Sequence, residues 1–152
     1  MKIIGFKLQK NEMFFVIAEK NSKEIKIIDK EKISFPTNLD IPAFTNWIET
    51  QFKLIIDKSK PDKIIYKLTT ELRKHDQIFH IYFSLGILNL ISFKKTIQIK
   101  HVAPQSLRPK AFGLANDQSI DDYICKLFKN ELTPWNKNIR EIVSCVILNF
   151  KK

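Results

Sequence analysis

Glycine is scarce in this chain: 152 residues contain only Gly5, Gly86 and Gly113. A P-loop or a dinucleotide-binding turn needs clustered glycines so that backbone N–H groups can approach a phosphate, so neither is present. Gly-x-Ser-x-Gly is missing as well, which excludes the nucleophile elbow of serine hydrolases. Cysteine is limited to Cys125 and Cys145. Each sits in a helix-like apolar pattern with no Cys or His at ligand spacing, which predicts buried reduced thiols rather than a disulfide or a zinc site. His75, His80 and His101 are scattered, and no two lie at helical metal spacing. Arginine is confined to Arg73, Arg108 and Arg140. Long apolar runs are lacking too. The longest, Ile78 to Phe93, is broken by His80, Ser84, Gly86, Asn89 and Ser92 and falls short of the roughly 20 residues that a membrane span needs. The opening residues, Met1 to Lys7, hold too short an apolar stretch for a signal peptide. The expected location is the cytoplasm, with no membrane partner and no cofactor.

What is present is apolar content and positive charge. With 44% hydrophobic and 28% charged residues, the chain can bury one core, and its length suits a single domain over 1–152. The net charge is +10 and the pI about 9.6, which points to a polyanion such as DNA or RNA. Almost all of that charge is Lys, however, in a chain also rich in Ile, Asn and Phe. An A/T-rich coding bias produces the same composition, and the bidentate Arg fork would be the stronger phosphate signal. No Asp or Glu occurs between Asp76 and Asp117, a window that holds Lys94, Lys95, Lys100, Arg108 and Lys110.

Three strand-like runs come first, Lys2 to Gln9, Glu12 to Glu19 and Glu24 to Phe35, separated by short polar turns. They read as an antiparallel meander. Asp40 caps a helix with Pro42 in its first turn, and Phe44, Trp47, Ile48, Phe52, Ile55 and Ile56 form its apolar stripe. Pro61 ends that helix near Lys60. Lys63 to Leu68 is a fourth strand, and Thr69 to Lys74 a loop. Asp76 to about Ile91 reads as a second helix, apolar nearly all round and therefore expected to be buried. Thr96 to Val102 is a fifth strand, and Pro104 and Pro109 bracket a loop. Ser119 caps a helix carrying Ile120, Tyr123, Ile124, Leu127 and Phe128, with Asp121 and Asp122 in its first turn. After Pro134 a last helix runs from Asn136 to about Phe150. The order β-β-β-α-β-α-β-α-α implies an α/β fold: a mixed five-stranded sheet with helices on both faces. Right-handed crossovers make the first, fourth and fifth strands parallel neighbours.

Within that order, Met1-Lys2-Ile3-Ile4-Gly5-Phe6, Pro61-Asp62-Lys63-Ile64-Ile65-Tyr66 and the loop Ala103 to Gly113 (with Pro104, Leu107, Arg108 and Lys110) resemble the first strand, the fourth strand and the Pro-x-x-[Leu/Val]-Lys loop of ribonuclease-H-like proteins of the RuvC-like kind, the Holliday-junction resolvases. The layout is also similar to a group of small bacterial proteins of this fold, domain of unknown function 3010. The resemblance covers nearly the whole chain and rests on the order of its motifs. It implies a two-metal nuclease site with carboxylates from the first strand, the fourth strand and the last helix. This chain departs from that pattern. Lys7 stands where the first Asp belongs, Lys67 where the second acid belongs, and Asn138-Ile139-Arg140-Glu141 where the resemblance implies Asp-x-x-Asp. Glu12 and Glu71 are poorly placed to substitute. An ammonium has no lone pair for a metal.

The expectation is therefore a catalytically silent domain with degenerate metal-site positions at Lys7, Lys67, Asn138 and Glu141. Solvated strand ends filled with Lys by composition are the simpler account of the two lysines. The sharper alternatives are a phosphate site or a pairing with Glu141 in a metal-free remnant. Nucleic acid is expected to bind through Lys94, Lys95, Lys100, Arg108 and Lys110, with Phe112 the aromatic least committed to the core, and Phe79 and Phe83 core residues. A homodimer or a protein partner is the alternative, favoured by the apolar second helix. A divergent nuclease using the displaced acids Asp117, Asp121, Asp122 and Glu141 ranks last.

Overall fold

Polar turns reverse the chain twice within its first 35 residues, and the three strands they join pair as the meander requires. The computed structural model describes residues 1–22, 24–68, 79–128 and 135–151. β1 (Lys2–Leu8) pairs antiparallel with β2 (Glu12–Lys20), and β2 with β3 (Ile25–Ser34). β2 is buried through Met13–Ala18, whereas β3 carries Lys26, Lys30 and Lys32 on a half-exposed edge, where charge discourages further strand pairing.

Asp40 accepts a hydrogen bond from the Ala43 N–H at 2.8 Å and starts α1 (Ile41–Ser59). Phe44, Ile48, Phe52 and Ile56 form its buried stripe. The helix stops at Lys60, which takes a left-handed φ of 47° while its N–H still reaches the Ile56 carbonyl at 2.8 Å. Pro61 accounts for this, since it disfavours the right-handed helical region at the residue before it.

β4 (Lys63–Lys67) then runs parallel to β1, and β5 (Gln98–Val102) parallel to β4, giving the sheet order β3-β2-β1-β4-β5. The expected loop Thr69 to Lys74, the helix start at Asp76, and Glu71, Arg73, His75 and Pro134 lie outside the described residues. A π-helical turn, Phe79–Phe83, leads into α2 (Ser84–Lys94), which continues past the expected end at Ile91. Two short 3₁₀ turns, Pro104–Ser106 and Pro109–Phe112, follow β5. α3 (Ile120–Leu127) is capped by Ser119, whose Oγ accepts from the Asp122 N–H, and α4 (Lys137–Phe150) by Asn136, whose Oδ1 accepts from the Asn138 and Ile139 N–H groups.

Alternation along the strands divides the core in two. Ile4, Phe6, Leu8 and Ile64 meet α1 and α2 on one face. Ile3, Phe14, Val16, Ile65 and Val102 meet α3 and α4 on the other. Gly5 sits under α4, and a Cβ there would lie 2.5 Å from Ile142 Cγ2 and 2.9 Å from Val146 Cγ2. The glycine lets α4 descend onto β1. Among the described residues no helix is long and apolar enough to cross a membrane.

The second helix departs from expectation, because it is not buried all round. Ser84 and Ser92 are fully buried, whereas Tyr82, Phe83 and Leu90 are about half exposed and Phe93 is 83% exposed. Phe83 is therefore not a core residue. The polar side chains on the covered side are satisfied by the backbone. Ser84 Oγ donates to the His80 carbonyl, Ser92 Oγ to the Ile97 carbonyl and Asn89 Nδ2 to the Leu85 carbonyl. A helix lying on a sheet can bury only one side, and a stretch this apolar gives its composition no sidedness.

Candidate functional site

The same alternation that aims Ile3 and Gly5 at α4 aims Lys7 there as well, and Ile65 brings Lys67 with it. Phe6 is in register with Tyr66, so Lys7 and Lys67 come next, side by side, at the carboxyl ends of two parallel strands. α4 runs antiparallel to β1. Its first turns lie over this end of the sheet, and Asn138 and Glu141, three residues apart on one helix face, point down at the lysines.

Lys7 Nζ donates to Asn138 Oδ1 at 2.6 Å and to Glu141 Oε2 at 2.5 Å. Lys67 Nζ donates to the same Oε2 at 2.7 Å. Gln9, two residues beyond Lys7 on the same strand face, donates to Asn138 Oδ1 at 3.2 Å. The lysines are not solvated strand-end residues: the Lys7, Lys67 and Glu141 side chains are only 12, 17 and 21% exposed. Burial by itself would push the Glu141 carboxyl up, but the hydrogen bonds and charges of Lys67 and Lys7 outweigh it and hold the carboxyl below its ordinary value. One helical turn on, burial pushes the Cys145 thiol up to about 12. Cys145 is the buried thiol the sequence predicts, but neither it nor Gln9 was connected with this cluster; positions two past Lys7 and four past Glu141 are the signals that place them here.

A pair of divalent ions does not fit these residues. Among the described residues only the Glu141 carboxylate is bound to the lysines, both of them hold it, and ammonium groups offer no lone pair and repel cations. Among the described residues no three of His, Cys, Asp and Glu stand together as a ligand set. The displaced acids are not gathered either. Asp121 pairs with Arg140 Nε at 3.3 Å on the solvent side of α4, Asp117 and Asp122 are exposed, and Glu141 faces the sheet.

The structure also divides the basic window. Lys94 and Lys95 end α2 beside the amino end of β5, where Lys95 Nζ pairs with Asp57 Oδ1 at 2.6 Å. Arg108 and Lys110 are exposed on the loop leaving the other end of β5 at Val102, the residue in register with Lys67. Lys100 is exposed between them. The five residues do not form one patch, because a parallel strand separates the chain before it from the chain after it by its whole length. Phe112 is not available for stacking on a base, being only 3% exposed. Gly113, at φ 76°, reverses the chain and the ring turns inward onto Tyr123, with Lys151 Nζ above both rings. A positive φ suits glycine and turned an expected surface aromatic into core. His80 is half-buried, its Nδ1 without a hydrogen-bond partner among the described residues, and His101 is exposed.

No family model matches this chain, and no curated protein matches its sequence. Its shape does match solved structures. The Thermus thermophilus RuvC in complex with Holliday junction substrate superposes with a TM-score of 0.77 at 9% identity, covering 97% of this chain and 91% of that one. The yeast mitochondrial Holliday junction resolvase gives 0.73 at 11% identity, covering 93% and 74%. The fowlpox virus Holliday junction resolvase gives 0.61 at 15% identity, covering 99% and 98%. The chain has a ribonuclease-H-like fold of the RuvC-like form.

Proposed function

We propose that this chain is a nucleic-acid-binding module that does not hydrolyse its ligand by a two-metal mechanism. The observation that carries the reading is the shared Glu141 oxygen: the carboxylate that α4 lays over Lys7 and Lys67 is held by both ammonium groups. The cluster keeps a surplus positive charge, and Lys137, Arg108 and Lys110 are exposed on the elements that start or leave at that end of the sheet. Proteins of similar shape have been captured with Holliday junction DNA, which supports nucleic acid as the polyanion.

Fluorescence polarisation tests this with labelled single-stranded, duplex and four-way-junction DNA and matching RNA, in Mn²⁺, at two salt concentrations, the probes being run on a gel afterwards. Binding that weakens steeply with salt, with intact probes, is the expected result. Cleavage that Glu141→Gln abolishes would refute silence, and no binding at low salt would refute the nucleic-acid reading.

A second reading concerns α2. It buries Leu85, Leu88 and Ile91 with Ser84 and Ser92, yet leaves Leu90 and Phe93, with Tyr82 and Phe83 of the preceding turn, exposed on its other side. Gly86 lies on the same exposed side, and a Cβ added there would have nothing within 4 Å, so packing within the chain does not require it. A mid-helix glycine costs about 1 kcal/mol relative to alanine, and close approach of another helix would account for its presence. Bulky residues on both sides of this notch suit an isologous contact between antiparallel α2 helices of two copies. Sedimentation equilibrium of the wild type and of Gly86→Leu decides it: a dimer that the leucine abolishes supports the contact, and a wild-type monomer refutes it.

A further inference from the structure

We infer that Lys7 and Lys67 act as one unit that grips a single phosphate of a nucleic-acid backbone, with Glu141 limiting how tightly it is held. This rests on the nucleic-acid reading and specifies where the phosphate sits.

The electrostatics favour an anion. Among the described residues two ammonium groups share one carboxylate, leaving one surplus positive charge in a site shielded on most sides, where charge acts more strongly than on an open surface. Asn138 and the Cys145 thiol, its pKa pushed up by burial, add no charge. The features that exclude a divalent cation are the ones that accept an oxyanion.

Donor capacity agrees. An ammonium has three N–H groups. Lys7 donates to Asn138 and Glu141, and Lys67 to Glu141 alone. One N–H on Lys7 and two on Lys67 therefore have no partner among the described residues. Both Nζ atoms lie within 2.7 Å of one oxygen, so one phosphate can touch both.

The lysines are also held in place beforehand. A surface lysine loses much side-chain freedom on gripping a phosphate. Here Asn138 and Glu141 already fix Lys7, Glu141 fixes Lys67, and the stems pack beneath α4. The surroundings extend the same polarity. The positive end of the α4 dipole points at this end of the sheet, and the exposed loop with Arg108 and Lys110 departs from beside Lys67. A backbone crossing here meets cations before and after the central phosphate. Glu141 opposes it, because a phosphate touching both ammonium groups lies close to the carboxylate.

The test compares wild type, Glu141→Gln and the triple variant Lys7→Met, Lys67→Met, Glu141→Met by fluorescence polarisation with labelled duplex and four-way-junction DNA in EDTA, over a salt series. The triple variant replaces the whole cluster by apolar side chains and leaves no unpaired charge, and circular dichroism verifies its fold. It should bind more weakly, with a log–log salt slope shallower by about 0.9, the value for one phosphate on duplex DNA. Glu141→Gln should bind at least about fivefold tighter, fivefold being the effect of removing one like charge at about 4 Å in bulk water. Inorganic phosphate, added as a separate probe at constant ionic strength, should raise the melting temperature of wild type more than that of the triple variant. A folded triple variant with wild-type affinity and slope would overturn the inference while leaving the nucleic-acid reading standing. Stabilisation by inorganic phosphate without DNA or RNA binding by wild type would overturn both.

Discussion

Replacing Glu141 by Gln keeps the shape of the side chain and one acceptor but removes the charge that two ammonium groups share. Lys7 and Lys67 then stand next to each other, only 12 and 17% exposed, without the counter-charge that both of them bind. Breaking a fully buried pair by removing one partner costs about 3–5 kcal/mol. This cluster opens to solvent on one side and the glutamine retains a hydrogen bond, so the expected loss is roughly 2–3 kcal/mol. For a chain of this size that lowers the melting temperature by about 5–10 °C. Urea unfolding at pH 7 measures it directly. The triple methionine variant should fall within about 1 kcal/mol of wild type or above it, because swapping a whole ion cluster for apolar residues is often neutral or stabilising. The comparison also has a pH signature. The Glu141 carboxyl is held below its ordinary value of 4.5, so its contribution is present above that value and is lost as pH falls through the depressed one. The gap between wild type and Glu141→Gln should narrow in that acid range. If Glu141→Gln lies within about 0.5 kcal/mol of wild type, the range of an ordinary surface substitution, the lysines are solvated and the reasoning about the cluster is wrong.

Gly5→Ala should destabilise the fold by about 1–3 kcal/mol, since its Cβ would press on the β-branched methyls of Ile142 and Val146; equilibrium denaturation checks this, and lost stability should come with weaker DNA binding if α4 lifts off Lys7. Gly86→Ala should do the reverse and stabilise an isolated chain by about 1 kcal/mol, because the added methyl meets nothing; no gain in a thermal melt of dilute protein would show that this side of α2 is occupied. Cys145, buried with its thiol pushed up to about 12, should resist iodoacetamide at pH 8 in the native protein and label on unfolding; mass spectrometry after digestion reads this.

Much of the fold was legible because local signals act over a few residues. Asp40 and Ser119 cap the helices they precede, Pro61 closes α1, and polar turns separate three apolar runs. Element order and the right-handed crossover rule were then enough to make β1, β4 and β5 parallel neighbours. The same reasoning failed where a residue's environment depends on what lies opposite it. The side of α2 that faces the sheet could not be read from a stretch with apolar residues all round. Phe112 looked uncommitted beside Gly113 until the 3₁₀ turn directed it inward.

The sequence by itself determined which residue types stand at the carboxyl ends of β1 and β4: lysine at both, with one glutamate in the last helix. Period-two alternation placed both lysines on one face of the sheet. Only the tertiary structure decided that Lys7 would meet Glu141, 134 residues away, rather than water. That contact needs Gly5 to admit α4, the Phe6–Tyr66 register to set the lysines side by side, and the antiparallel course of α4 to bring down its first turns. No local pattern encodes a charge pair formed by three separate elements, because its energy depends on how closely they pack and how much water they exclude.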